Sequence, residues 1–120
     1  MNKSIGIVED EGIVALDLSS IITKLGYQTA FIADSAEKTL ESLSNNIPDV
    51  ILMDIELKGE MNGIQLASRI KDEFNIPVIF LTAFEDESTI SKMGNASDYG
   101  YIVKPFEDEV LEQALERVLC

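Results

Sequence analysis

The sequence predicts an α/β domain in which a parallel five-stranded sheet is covered by helices on both faces. Short apolar runs alternate with segments of helical periodicity along the whole chain of 120 residues. These runs are apolar on both faces, which is typical of strands in a buried parallel sheet. Since parallel neighbours need right-handed crossovers, the helices must lie on both sides of the sheet and form three layers.

Five strands and five helices are predicted in strict alternation. The strands cover residues 5–8, 28–32, 50–53, 78–81 and 101–103. Apolar residues at helical spacing lie within 14–25, 36–47, 64–74, 85–93 and 107–119. Gly26 ends the first helix, Asp34 or Ser35 caps the second, and the sequence 75–77 (Asn-Ile-Pro) ends the third. A polar loop, 56–62, precedes the third helix at Gly63.

The fourth predicted helix, 85–93, differs from the others because it contains few apolar anchors. Weakly anchored elements open at low free energy and often take part in conformational switching. A surface helix without a role is an equally good interpretation of this pattern. The last helix, 107–119, carries a wide apolar face by contrast.

Composition places the chain among globular domains with a strongly acidic surface. Nine basic and 22 acidic side chains give a net charge of −13. This field repels phosphate backbones and anionic lipid, so we expect no direct nucleic-acid binding and no membrane binding. It attracts divalent cations or a basic partner, although solubility alone also accounts for much of the charge.

Cysteine usage and hydropathy predict a cytoplasmic location. No apolar stretch approaches the length of a membrane span, and no signal peptide is evident. Cys120 is the single cysteine, which agrees with a reducing compartment, and the absence of histidine disfavours a zinc site. We interpret residues 1–120 as one domain that opens its own gene product. The end directly after the last helix favours the N-terminal part of a longer protein over a stand-alone regulator.

Four polar residues follow four of the apolar runs and form the best clue to function. They are Asp10, Asp54, Thr82 and Lys104. In open parallel sheets ligands bind outside the carboxyl ends of the strands. The pattern therefore gathers two carboxylates, a hydroxyl and an ammonium at one edge, a set that suits a metal ion and a phosphoryl group.

Each of these residues also has a simpler interpretation. Glu9 and Asp10 together suit Mg²⁺, which prefers one or two carboxylates, but Asp10 could instead cap the following helix. Asp54 ends a fully apolar strand, where a carboxylate is costly unless it is paired or bound to a metal. Near Mg²⁺ such a carboxylate can attack phosphorus, whereas the alternative is a loop or capping aspartate. Thr82 alone could cap a helix and Lys104 alone could lie on the surface, so the joint pattern carries the prediction.

The sequence around these positions resembles the receiver domain of two-component response regulators. The resemblance rests on Val-Glu-Asp-Glu at 8–11, Met-Asp-Ile at 53–55, Leu-Thr-Ala at 81–83 and Tyr-Ile-Val-Lys-Pro-Phe at 101–106. It spans essentially the whole chain, in the family's order and spacing. It implies the flavodoxin-like (βα)₅ fold with strand order 2-1-3-4-5.

The resemblance also implies roles for individual residues. Asp54 would be the phosphoacceptor, with Thr82 and Lys104 on the phosphoryl group. Mg²⁺ would be held by Glu9, Asp10, Asp54 and the backbone carbonyl of Glu56. Tyr101 would be the aromatic switch, turning inward as Thr82 moves toward the phosphoryl group.

The resemblance implies partners as well. The phosphoryl donor would be a histidine kinase, a histidine phosphotransfer protein or a small phosphodonor. The output face would be formed by the fourth predicted helix, the fifth strand and the fifth predicted helix, with an unknown downstream target. Such a domain catalyses its own phosphoryl transfer and dephosphorylation, and acts on no external substrate.

Two features depart from the family's pattern. Glu9 stands where the family often has aspartate, and the loop 56–62 lacks the frequent Met-Pro and is one residue longer. We expect the longer Glu9 side chain to reach the metal through water. Glu56 and Phe84, two residues after Asp54 and Thr82, are expected to tune dephosphorylation.

Three other classes of protein compete with this interpretation. A pseudo-receiver would keep the fold and serve as an interaction module, but the acid pair, Asp54 and Lys104 are all present. An aspartate-nucleophile phosphohydrolase needs Asp-x-Asp at one strand end, which Asp-Ile-Glu at 54–56 does not match. A flavin carrier needs a Ser/Thr/Gly-rich phosphate loop after the first strand, where this chain has acids, and no glycine-rich nucleotide loop occurs.

Overall fold

A computed structural model of the chain describes residues 3–55, 57, 59, 61–83 and 99–119. The sheet consists of β1 (Ser4–Val8), β2 (Gln28–Ala33), β3 (Val50–Asp54), β4 (Val78–Ala83) and β5 (Tyr99–Lys104). The helices are α1 (Gly12–Lys24), α2 (Ala36–Leu43), α3 (Gly63–Phe74) and α4 (Asp108–Leu119). Thus α4 is the fifth helix of the sequence prediction, and the predicted fourth helix lies outside the described residues.

The five strands form one parallel sheet in the order β2-β1-β3-β4-β5. This order and direction confirm the flavodoxin-like arrangement implied by the family resemblance. The chain crosses over between β1 and β2, and all later strands are added on the other side of β1. The carboxyl ends of β1 and β3 are therefore neighbours, and this is where the polar residues gather.

Two apolar clusters, one on each face of the sheet, form the core. Alternate residues of β3 divide between them: Ile51 and Met53 join α2 and α3, whereas Val50 and Leu52 join α1 and α4. All five residues of β3 are buried. This burial explains why the strand is apolar on both faces, as the sequence analysis assumed.

Local signals in the sequence place the helix ends. Ser35, rather than Asp34, caps α2, and its hydroxyl accepts from the backbone N–H of Lys38 at 3.2 Å. Asn62 and Gln65 form a reciprocal capping box at the start of α3. Asn75 ends α3 in the left-handed conformation that its short polar side chain tolerates. Each cap satisfies backbone groups that a helix end would otherwise leave unpaired.

Some strands extend further than the apolar runs predicted. Asp54, Thr82 and Lys104 are not beyond the strands but within their last two residues, and only Asp10 follows its strand. The reason is the hydrogen-bonded ladder, which pairs Thr82 with Val103 and Ala83 with Lys104. Backbone pairing does not depend on side-chain polarity, so an apolar run underestimates strand length. Among the described residues, no helix is both long and apolar enough to cross a bilayer.

Candidate phosphoryl and metal site

Three carboxylates converge at the carboxyl ends of β1 and β3. One oxygen each from Glu9, Asp10 and Asp54 can be chosen so that all three lie within 4.8 Å of one another. Glu9 is 1% exposed and Asp54 is 9% exposed, so the repulsion between them is only weakly screened by water. Such a cluster is costly unless a proton or a cation compensates it.

Lys104 supplies one positive charge to this cluster. Its Nζ lies 3.7 Å from Asp54 Oδ2 and 3.9 Å from Glu9 Oε2, and the side chain is about one-third exposed. These distances are within ion-pair range but too long for good hydrogen bonds. Because β4 lies between β3 and β5, the long side chain of Lys104 crosses the carboxyl end of β4 to reach Asp54. The peptide bond between Lys104 and Pro105 is cis.

The protonation of Glu9 reflects this crowding. Burial raises the pKa of the Glu9 carboxyl to about 7, and the hydrogen bond and negative charge of Asp54 add to the rise. The charge of Lys104 and the backbone N–H of Glu11 act in the opposite direction. Near neutral pH the Glu9 carboxyl is therefore divided between its protonated and ionised forms, mainly because burial disfavours its charge.

Two oxygen atoms of this cluster are suited to bind a cation. Within the described part of the chain, Glu9 Oε2 and Asp10 Oδ2 are buried and have no hydrogen-bond partner. Buried carboxylate oxygens without partners are rare in proteins unless a water or an ion completes them. A hard divalent cation that takes oxygen ligands, such as Mg²⁺, suits this all-carboxylate set.

The helix-capping alternative for Asp10 does not agree with the structure. The N-cap residue of α1 is Glu11, whose own side chain makes no capping hydrogen bond. Asp10 lies one residue earlier and contributes its carboxylate to the acidic cluster instead. Thr82 likewise lies inside β4, paired with Val103, rather than at a helix start.

Thr82 and Tyr101 are close in the sheet but differ in exposure. Thr82 is 1% exposed, whereas Tyr101 on the neighbouring strand is 52% exposed. Tyr101 pairs with Phe80, and Phe80 lies two residues before Thr82 in β4. The side chains of Tyr101 and Thr82 therefore lie on the same face of the sheet, and about half of Tyr101 is exposed.

Other expected site residues lie outside the described part of the chain. They are Glu56, whose carbonyl was expected to bind the metal, and Phe84. The predicted fourth helix, 85–93, also lies there.

Two supporting features of the loop after β3 were not predicted from the sequence. Leu57, within a loop interpreted as polar, is buried with the core cluster that contains α2 and α3. Gly63 packs against the backbone of Asp54 and Ile55, and a Cβ at this position would lie 3.0 Å from the Cα of Ile55. The burial of Leu57 could have been predicted, because it is an apolar residue within a polar loop. Gly63 was interpreted only as the beginning of a helix.

Fold and site together define a class of protein: a flavodoxin-like domain with an acidic cluster and a lysine at the carboxyl edge of its sheet. The chain matches the response regulator receiver domain family over residues 5–116. The protein therefore belongs to the receiver domain family of two-component signalling, as its sequence motifs indicated.

Relatives of similar length support this assignment. The chain is 33% identical to the chemotaxis protein CheY of Thermotoga maritima over 119 residues, with 98% of each protein covered. It is 32% identical to sporulation initiation phosphotransferase F of Bacillus subtilis, with 99% of this chain and 95% of that protein covered. A third relative, transcriptional regulatory protein CrdR of Helicobacter pylori, is 34% identical and covered to 55% of its length. The chain thus spans about half the length of the first transcriptional regulators it matches.

Solved structures agree with the fold. The signal receiver domain of a modulated diguanylate cyclase from Desulfovibrio desulfuricans superposes with a TM-score of 0.89 at 28% identity, covering 99% and 94% of the two chains. The N-terminal domain of a response regulator/sensory box/GGDEF protein from Carboxydothermus hydrogenoformans has a TM-score of 0.85 at 38% identity, covering 98% and 94%.

Proposed function

We propose that this domain receives a phosphoryl group on Asp54 with the help of Mg²⁺. The observation that carries the proposal is the cluster of Glu9, Asp10 and Asp54, with Lys104 Nζ 3.7 Å from Asp54. Two carboxylate oxygens in this cluster, which have no hydrogen-bond partner among the described residues, suit a cation. If these acids were absent, the pseudo-receiver alternative would be favoured instead.

The proposed reaction transfers a phosphoryl group directly from the donor to Asp54. An oxygen of Asp54 attacks phosphorus, and an O–P bond forms as the bond from phosphorus to the donor breaks. For a phosphohistidine donor, the imidazole nitrogen keeps the electron pair of the broken N–P bond and takes up a proton. Bound Mg²⁺ would neutralise charge on the carboxylates and the phosphoryl oxygens.

The residues around Asp54 would then have separate roles. Glu9, Asp10 and Asp54 would hold the cation, and the backbone carbonyl of Glu56 is a further proposed ligand. Lys104 lies close enough to transfer its contact from Asp54 to a phosphoryl oxygen. Thr82 would donate its hydroxyl to the same group.

Phosphorylation would be transmitted through Tyr101. Its ring is half exposed and lies on the same face of the sheet as Thr82. Movement of Thr82 toward the phosphoryl group would open space for the ring to turn inward. The output face would comprise residues 85–93, β5 and α4, and the downstream target is a partner protein or an attached domain.

The phosphodonor partner is proposed to be a histidine kinase or a histidine phosphotransfer protein. Next to the acidic cluster, α1 exposes Ile13 (86%) and Leu16 (66%). Leu16 lines a hollow that also includes Glu9 and Asp10. Exposed apolar side chains beside a reactive site suit a partner that must bring its own reactive group to Asp54. We also propose a cytoplasmic location for this exchange.

Phosphorylation is tested by incubating the protein with acetyl phosphate and Mg²⁺ and measuring its intact mass. We expect the added mass of one phosphoryl group in the parent and in Asp17→Asn, an exposed α1 acid outside the cluster. Asp54→Asn should show none. Absence of an Asp54-dependent adduct under these conditions would contradict the proposal and favour the pseudo-receiver.

The partner surface is tested by comparing two donors. Ile13→Lys and the uncharged Leu16→Gln should slow transfer from a phosphorylated histidine phosphotransfer protein about tenfold or more, and leave transfer from acetyl phosphate unchanged. Ile47→Lys changes another exposed isoleucine, 56% exposed, and serves as the control. Equal rates for all variants with the protein donor would refute a role for α1.

A further inference from the structure

Strand β2 forms an edge of the sheet without charged residues or proline. Among the residues that the structure describes, it pairs only with β1, and its sequence from Gln28 to Ala33 is uncharged throughout. Natural edge strands usually carry charge, proline, a bulge or a cover that prevents pairing with other chains. In β2 a register shift hinders pairing with other chains only along the first half of the strand, where Ala30 has no partner in β1.

The hydrogen bonds of β2 show which backbone groups face outward. Gln28 donates to the carbonyl of Lys3 and the carbonyl of Ala33 accepts from Glu9, both at 2.9 Å, so these two residues face β1. Consecutive residues of a parallel strand alternate in direction, and the N–H and C=O of Ile32 therefore point away from the sheet. The side chain of Asn46 donates to the carbonyl of Ala30 at 3.0 Å and covers the first half of the edge.

Two hollows flank the second half of this edge. One has a volume of about 340 Å³ and extends to Leu16, and the other has about 320 Å³ and extends to Glu41. Ile32, which is 43% exposed, and Lys38 line both. Successive side chains of an added strand point to opposite faces of the sheet. The first hollow is lined by residues of α1 and the second by residues of α2, and these helices cover opposite faces of the sheet. Neighbouring residues of such a strand would therefore enter different hollows.

The charge around the edge selects the kind of strand that would bind. Asp34 and Glu41 border the hollows, and Lys38 is already paired with Asp34 at 3.2 Å. A second copy of this chain, at −13, would bring the same acids to the contact and be repelled. A basic segment is complementary to it.

We propose that residues 31–33 of β2 bind a basic, extended segment of a partner protein as a sixth strand. Main-chain hydrogen bonds to Ile32 provide the pairing, as in other cases of β-strand addition. An apolar side chain of the segment packs against Ile32 and Leu16, and a lysine or arginine lies near Glu41. This binding requires neither Asp54 nor its phosphorylation.

The test uses a fluorescein-labelled hexapeptide of alternating lysine and valine, titrated into the full chain. A second peptide, N-methylated at every backbone nitrogen, keeps the charge but loses the main-chain donors. We expect the second peptide to bind at least tenfold more weakly, and Ile32→Lys to weaken the first by about tenfold. The first peptide should shift the amide NMR signals of residues 31–33.

Matched variants separate this surface from general attraction and from the phosphorylation site. Ile47→Lys adds the same charge at another exposed isoleucine and should bind like the parent, as should Asp54→Asn. Ile32→Thr tests the apolar contact without a new charge and should bind more weakly than the parent. Equal binding of both peptides, an unaffected Ile32→Lys variant, or sedimentation showing a dimer that Ile32→Lys dissociates would each overturn the proposal.

Discussion

The ring of Phe31 on β2 occupies the space beside Gly6 on β1 where a side chain would otherwise begin. A Cβ at position 6 would lie 2.6 Å from Phe31 Cζ and 2.9 Å from Cε2. The two residues are partners in the ladder, directly after the register shift. Phe31 packs against the core cluster of α2 and α3, so the glycine allows the edge strand to contribute an aromatic ring to the core.

We expect Gly6→Ala to destabilise the fold by about 1–3 kcal/mol, because the ring has to move out of a packed position. Urea unfolding followed by circular dichroism measures this change. Gly12→Ala is the control, since no heavy atom lies within 4 Å of its Cβ position. The double variant Gly6→Ala/Phe31→Leu should recover part of the loss. A Gly6→Ala variant as stable as the parent would contradict this packing argument.

Gly63→Ala should impair both stability and phosphorylation. The added Cβ would lie 3.0 Å from the carbonyl oxygen of Ile55 and also crowd the carbonyl of Asp54. The backbone that positions Asp54 must shift, so we expect a loss of about 1–3 kcal/mol and a slower reaction with acetyl phosphate. Unfolding and intact-mass kinetics measure the two effects. Gly12→Ala should change neither by much, and an unimpaired Gly63→Ala would show that this contact is unimportant.

The stability of the metal-free protein should fall as pH rises from about 4.5 to about 7. Glu9 has an ordinary pKa of 4.5 and a pKa of about 7 in the fold, so over this range the folded state holds a proton that the unfolded chain has lost. Stability therefore decreases with rising pH, by at most about 3 kcal/mol from this group. Urea unfolding at several pH values without Mg²⁺ measures the slope.

Glu9→Gln is the matched variant for this pH dependence. It keeps the shape of the side chain without the titrating proton, so we expect this contribution to the slope to disappear. Unchanged pH dependence in Glu9→Gln would show that another group is responsible.

Asp10→Asn should weaken Mg²⁺ binding about tenfold or more, because it removes one negative charge from a cluster of three carboxylates. An NMR titration of the backbone amides with MgCl₂ measures the affinity. Asp17→Asn removes the same charge from the exposed surface of α1 and should bind Mg²⁺ like the parent. Equal affinities for the two variants would contradict direct binding by Asp10.

Much of this protein was determined by its sequence alone. Apolar runs located all five strands, and polar residues at their ends predicted which residues would meet, because parallel strands bring their carboxyl ends to one edge. Glu9, Asp10, Asp54 and Lys104 do converge there. The receiver motifs also predicted the strand order, which periodicity alone does not specify.

Tertiary structure decided the properties that depend on distance and exclusion of water. The raised pKa of Glu9 arises from burial beside Asp54, and no pattern of residues reports that burial directly. The contact between Gly6 and Phe31 depends on the strand register, and the exposure of Ile32 depends on β2 lying at the edge. The spacing of polar residues along the sequence indicates which of them come near a site. Pairing and packing between distant segments determine how closely they approach and how much water remains between them.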